Sequence, residues 1–334
     1  MASTTETDEW TNSTSANDAV PSVADDDVSK SMLMGIFAAL TAVGNGFTLV
    51  VVLKTPVLSE KSKDCTFQML LSTLTGSDVL LGLVVMERAL WPKTPDGQNP
   101  GCRVYYSVIL LASYSRAFVI VLIALDRAVA TASPFAYRAK VTPNKMLVMI
   151  AFVWVLSAVF VVATVAGGFP PNTPCRIPFN LLPVRGFTVA AVTLLVCALA
   201  ASCLYMYLAW MMKTRMAELG RRVSMSTCRL SQNGISPRQR HAAATGLALA
   251  VVSIVGSLPL SLYILLVTWS DVDVQTKDRS EILYGLVIFL VVSCVLDPVV
   301  YFWRIKGLWP LCTKWRPTPT QTVTSTSQQK KLTT

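Results

Sequence analysis

Seven stretches of the chain are almost wholly apolar, and each is long enough to cross roughly 30 Å of hydrocarbon as a helix. They cover residues 32–53, 66–86, 104–125, 146–168, 186–212, 242–269 and 282–303. A helix in a soluble bundle keeps a polar face opposite its buried stripe. These runs are apolar all round, so the pattern predicts membrane helices. Both ends of the chain are polar. Residues 1–30 carry seven carboxylates (Glu6, Asp8, Glu9, Asp18, Asp25, Asp26, Asp27) against Lys30 alone and are expected to form a disordered tail. No apolar run precedes Ser31, so no cleavable signal peptide is expected. Residues 305–312 are short and amphipathic, with Ile305, Leu308, Trp309 and Leu311 suited to a lipid interface, and a disordered tail is expected over 313–334. The predicted architecture is an all-α membrane protein, a seven-transmembrane helix bundle over 31–304 followed by a short amphipathic eighth helix.

Composition agrees with that pattern. The 334 residues are 53% hydrophobic and 14% charged, with mean hydropathy +0.52, whereas soluble domains are about a quarter charged. A net charge of +10 raises nucleic acid as a partner, but the placement of the charge argues against it. Twenty of the 29 lysines and arginines lie in the segments before the second run, after the third, after the fifth and after the seventh. By the positive-inside rule that side is cytoplasmic, which puts the N-terminus outside and the C-terminus inside a plasma membrane crossed several times. The positive charge is then a topology signal, and the expected surroundings are membrane lipid. The eight cysteines include no C-x-x-C pair and His241 is the single histidine, so neither a metal site nor a cofactor is expected. Most triad chemistry is removed with it, and an enzyme is not expected.

That topology sorts the modification sites. Asn12-Ser13-Thr14 is a glycosylation sequon on the outer tail, and Cys102 and Cys175 are both extracellular, where disulfides persist, and are expected to bridge. Cys197, Cys203 and Cys294 lie within spans as packing residues. On the inner side, Arg221-Arg222-Val223-Ser224 resembles a basophilic kinase site, with Ser224 as acceptor, and Cys312 is a candidate for palmitoylation. The Ser/Thr-rich tail from Pro317 would gain dense negative charge if phosphorylated; the alternative is an inert solvated tail.

Three ionisable residues, Asp78, Arg116 and Asp297, fall inside apolar runs. A charge near the bilayer centre costs at least about 2.5–3.5 kcal/mol on insertion scales, so such residues face the bundle interior and pair. At 1.5 Å per residue, Arg116 lies about 16 Å and Asp78 about 18 Å above the cytoplasmic ends of their helices. An intramembrane ion pair between them is expected, with Asp297 about 10 Å up and close by. Such a pair either takes part in switching or only cements the helices.

The third run ends in Asp126-Arg127-Ala128, twenty-five residues beyond Cys102. With Gly44-Asn45, Leu74, Asp78, Trp154, Pro259 and Asp297-Pro298-Val299-Val300-Tyr301, these landmarks fall in register in six of the seven runs, all but the fifth. The chain thereby resembles the rhodopsin-like (class A) G-protein-coupled receptors. The resemblance implies a receptor that passes an extracellular signal to a heterotrimeric G protein, with arrestin as a partner through the phosphorylated tail. It also implies that Asp126, Arg127, Ala128, Asp297, Pro298 and Tyr301 form the coupling switch. In that family the arginine is released on activation, and the end of the seventh helix moves with the sixth.

Several positions depart from the family pattern. Ala128 replaces the usual tyrosine, Ser257 replaces the aromatic residue two before the span-six proline, and span five has no proline. Gln239 stands where an acidic partner for Arg127 is usual, so Asp126 is expected to be its main restraint and basal signalling to be raised. Arg116 occupies the span-three position that usually helps hold a sodium ion beside Asp78, which predicts insensitivity to sodium. Within class A, Ser257-Leu258-Pro259-Leu260, Gly76-Ser77-Asp78-Val79-Leu80-Leu81-Gly82 and Pro134-Phe135-Ala136-Tyr137 are similar to prostanoid receptors. Against a prostaglandin, the prostanoid arginine of span seven is Ile288 here, and Thr173-Pro174 precedes Cys175 in place of a tryptophan. Ile109 stands where amine receptors carry an aspartate, and span seven has no lysine for a retinal Schiff base. A small lipid-like ligand is expected, in a pocket including Arg88, Ile109, Arg185, Ser257 and Ile288. The outer cations Arg88, Arg103, Arg176 and Arg185 either receive an acidic lipid or pair with Glu87 and the acidic tail. Two other functions stay open: a receptor-shaped decoy or scaffold that does not couple, and a transporter, which lacks support from inverted repeats or broken helices.

Overall fold

A computed structural model describes residues 23–54, 65–90, 100–166, 184–223, 237–269 and 277–304. Among them are eight helices: α1 (Val23–Lys54), α2 (Cys65–Leu90), α3 (Pro100–Ala132), α4 (Pro134–Lys140), α5 (Pro143–Val165), α6 (Val184–Val223), α7 (Pro237–Trp269) and α8 (Lys277–Arg304). All but α4 are long and apolar enough to cross a membrane. Several outrun the apolar stretches. The first begins at Val23, so residues 23–30, expected in the tail, are helical, and α6 continues eleven residues past 212. In α6 the added residues include Lys213, Arg215, Met216, Ala217, Glu218 and Leu219, whose helix propensity carries the helix beyond the hydrocarbon. The segment 305–312, where the eighth amphipathic helix was expected, lies outside the described residues.

Capping explains the corner between α3 and α5. Pro134 and Pro143 stand at the first turns of α4 and α5, where a missing N–H removes no helical bond. The Thr142 hydroxyl accepts from the Lys145 backbone N–H at 3.4 Å, while Val141 donates to the Tyr137 carbonyl and closes α4. The chain therefore makes one short helix between two spans, and that helix carries Tyr137.

In the bundle, α1 packs against α2 and α8, α7 lies between α6 and α8, and α3 touches α2, α5, α6 and α7. The third helix is thus the central post. Two glycines allow close approach. A Cβ at Gly82 would stand 2.7 Å from the Ala42 backbone nitrogen of α1, and one at Gly256 would stand 2.3 Å from Ser293 Oγ of α8. The largest apolar core, including Leu70, Leu74, Val119, Ile123, Leu249 and Tyr301, fills the half of the bundle near Arg127. The outer surface differs from that of a soluble protein. Val43, Val148, Met206 and Leu266 face outward, while Asn45, Asp78, Arg116, Asp126 and Asp297 are buried. Lipid is the solvent that makes such an arrangement favourable.

Candidate functional site

Arg116 lies on α3 at the middle of the bundle and is 5% exposed, with Asp78 of α2 and Asp297 of α8 at 0% and 2%. Its Nη1 forms an ion pair with Asp78 Oδ1 and a second with Asp297 Oδ2 at 2.7 Å. The first is also a directed hydrogen bond; the second is a charge contact without hydrogen-bond geometry. Nη2 donates to Ser253 Oγ of α7 at 2.6 Å. One side chain therefore ties α2, α3, α7 and α8 together. A buried carboxylate left without a partner costs several kcal/mol, which is why the helices turn these groups toward each other. Asp297 reaches Arg116 directly although its distance from the helix end gave a lower level. Helix ends are staggered, α3 running on to Ala132 and α8 to Arg304, so depths counted from them differ by a turn or more. Beside this cluster, Asn45 Nδ2 donates to the carbonyls of Thr41 at 3.1 Å and Cys294 at 3.0 Å, binding α1 to α8.

A second buried constellation lies near the C-terminal end of α3. Arg127 donates from Nε to Asp126 Oδ2 at 2.9 Å and pairs with the same oxygen through Nη2. Its guanidinium carbon sits 4.8 Å from the centroid of the Phe67 ring of α2. The other carboxylate oxygen, Oδ1, accepts from the Tyr137 hydroxyl at 2.5 Å. That hydroxyl has one proton, which goes to the carboxylate, so Thr66 of α2 donates to the Tyr137 oxygen at 2.8 Å. Burial, with the Asp126 charge beside it, pushes the Tyr137 hydroxyl up to about 12 and keeps it a donor. Asp126 is the carboxylate that pairs with Arg127, and α4 and α2 hold it in place through Tyr137 and Thr66. The only sequence signal for this was Tyr137 at the end of Pro134-Phe135-Ala136-Tyr137. Nearby, Tyr205 of α6 is buried with its hydroxyl unpartnered, in the space that a side chain at Gly246 would fill. Tyr301 is buried in the same core, Ala128 is buried on α3, and Pro298 is inside α8.

A cavity of about 40 Å³ lies between α3, α6 and α7, lined by Arg116, Ser113, Cys197, Ser253, Ser257 and Leu290 among others. Of the sequence-predicted pocket residues, Ser257 lines it. Ile109 and Ile288 do not: Ile109 packs against the cluster containing Ala38, Leu81 and Ala112. The side chains of Arg88 and Arg185 lie outside the described residues, as do the Cys102 side chain and all of Asn12, Cys175, Ser224 and Cys312.

Seven membrane-length helices, the third of them central and ending in a buried Asp-Arg pair, define a seven-helix membrane bundle. Residues 44–301 match the family described as 7 transmembrane receptor (rhodopsin family), and the chain belongs to that family. It is 31% identical over 142 residues to the D(1)-like dopamine receptor of Takifugu rubripes, covering 39% of this chain and 29% of the relative. Similarity to G-protein coupled receptor 39 of Bos taurus is 28% over 137 residues, 39% and 30% of the two chains. For the gonadotropin-releasing hormone receptor of Octopus vulgaris it is 29% over 136 residues, 40% and 32%. Each match thus spans about a third of the relative's length. Two of the relatives are named for different ligands, dopamine and gonadotropin-releasing hormone, and the third for none, so they point to no ligand for this chain and give the prostanoid likeness no support.

The residues around Asp78 do not fit the sodium ion associated with this family. The guanidinium of Arg116 stands between the two carboxylates that an ion would need and already pairs with both.

Proposed function

We propose that the protein is a plasma-membrane receptor, N-terminus outside, that transmits an extracellular signal to a heterotrimeric G protein by releasing Arg127 at its cytoplasmic end. Support comes from one observation above all: Arg127 is held by an Asp126 whose second oxygen is bonded to Tyr137, outside the spans. A restraint built from a loop helix can be undone by a partner that binds the loop, without disturbing the bundle. Opening is then a shift between two packings, biased by whatever binds one better. Tyr205, with its buried hydroxyl unpartnered, and Tyr301 are the groups placed to meet a displaced Arg127.

In this account Arg116 does electrostatically what the ion does elsewhere in the family, holding α2, α7 and α8 to α3. The ligand is small and lipid-like, arrestin binds the phosphorylated tail, Cys102–Cys175 closes the outer end, and Asn12, Cys312 and Ser224 are modified. Agonist-independent nucleotide exchange, measured over graded expression for each G-protein class, tests the coupling. Exchange that rises with expression, and rises further in Asp126→Asn, is expected. A flat response in every class, in both proteins, favours the non-coupling scaffold, which Ala128 and Ser257 keep in view.

A further inference from the structure

The cavity between α3, α6 and α7 meets the central ion cluster at Arg116, which lines it, whereas Asp78 and Asp297 do not. It holds about 40 Å³, several times the roughly 10–15 Å³ that one water requires. Its walls are mostly aliphatic, and its polar lining residues include Arg116, Ser113, Ser253 and Ser257. Two of these hydroxyls are already oriented. Ser253 Oγ accepts from Arg116 and keeps its own proton to donate, while Ser257 donates to the Ser253 carbonyl at 2.8 Å and keeps its oxygen lone pairs.

Charge selects among possible occupants. A cationic tip meets the Arg116 guanidinium first. An anionic tip meets a guanidinium already committed to two carboxylates, whose negative charge lies just behind it. Arg116 is the one charged residue in the lining and is already paired, so an ion entering the cavity would lose its hydration without an unpaired counter-charge to replace it. A hydroxyl loses far less and finds an acceptor and a donor in Ser257 and Ser253.

We propose that this cavity binds the uncharged, hydroxyl-bearing tip of an apolar ligand, with Ser253 and Ser257 reading the hydroxyl; the proposal rests on the receptor function given above. The ligand class is a neutral alcohol-type lipid, neither a fatty acid nor an amine.

Cys197 lines the cavity and reports on it. The purified full-length protein is treated with methyl methanethiosulfonate, and modification of Cys197 is followed by peptide mass spectrometry with isobutanol, isobutyrate or isobutylammonium present. Isobutanol is expected to slow labelling about threefold when present at twice its Kd, as for a single site, while the two ions have no effect. Ser257→Ala should leave labelling intact and weaken the isobutanol protection. Ser257→Trp, which fills the space, should block labelling. Equal or stronger protection by either ion, no protection by isobutanol, or a Cys197 that the reagent never reaches would each overturn the proposal. G-protein exchange by the same preparations separates the two ideas. Lost protection in a protein that still drives exchange removes the ligand class alone, whereas protection without exchange removes coupling and leaves the site.

Discussion

Replacing Tyr137 by phenylalanine removes one hydroxyl and keeps the ring. In the closed bundle that hydroxyl donates to Asp126 Oδ1 at 2.5 Å and accepts from Thr66. A hydrogen bond to a buried charged group contributes about 1.5–3 kcal/mol. If the bond exists only while Arg127 is restrained, its loss shifts the open-to-closed ratio by about 10- to 100-fold, at roughly 1.4 kcal/mol per tenfold. Basal nucleotide exchange on purified G protein, normalised to receptor amount, should rise accordingly until the open form saturates. Thr66→Val removes a neutral bond worth about 0.5–1.5 kcal/mol and should raise exchange by about two- to tenfold. The sign of the pH dependence also follows. The hydroxyl, pushed up to about 12 from an ordinary 10.0, stabilises the closed form fully below 10 and loses that contribution as pH rises toward 12. The Tyr137→Phe effect is therefore expected to be constant between about pH 6 and 8. A Tyr137→Phe receptor with unchanged or lower exchange, where Asp126→Asn raises it, would refute the restraint.

Other perturbations test the packing. Arg116→Ala leaves two buried carboxylates without their cation and is expected to cost about 3–5 kcal/mol, read as lost expression and a lower thermal midpoint. Combining Asp78→Arg with Arg116→Asp keeps a guanidinium between two carboxylates and should recover much of that stability; no recovery would sink the pairing. Gly256→Ala brings a methyl to 2.4 Å from Ser293 Cβ. It should force α7 and α8 apart at a cost of about 1–3 kcal/mol, and an unchanged midpoint would show that the contact is loose.

How much of this was legible in the chain depends on the range of the interaction. The seven spans follow from apolar runs with no polar face, a property of each segment alone. The Asp78–Arg116 contact followed from counting residues along two helices, because the helical rise is fixed. Ser253 did not, since nothing in the sequence distinguishes a hydroxyl facing Arg116 from one bonded to its own helix, as Ser257 is. Tyr137 was visible as a motif residue, but its role depends on how a seven-residue helix turns between two spans. Ile109 and Ile288 lie outside the lining of the cavity that Ser257 shares, because which side chains border one space depends on how several helices pack rather than on position along one.

If Arg116 takes the place of an ion between Asp78 and Asp297, the stability of the protein is indifferent to sodium, and a sodium titration measures this. Thermal midpoints of the purified wild-type protein and of Arg116→Ser are measured as sodium replaces potassium at constant ionic strength. The wild-type midpoint should not move, and that of Arg116→Ser should rise as sodium enters between the two exposed carboxylates. A wild-type midpoint that climbs with sodium would contradict the account.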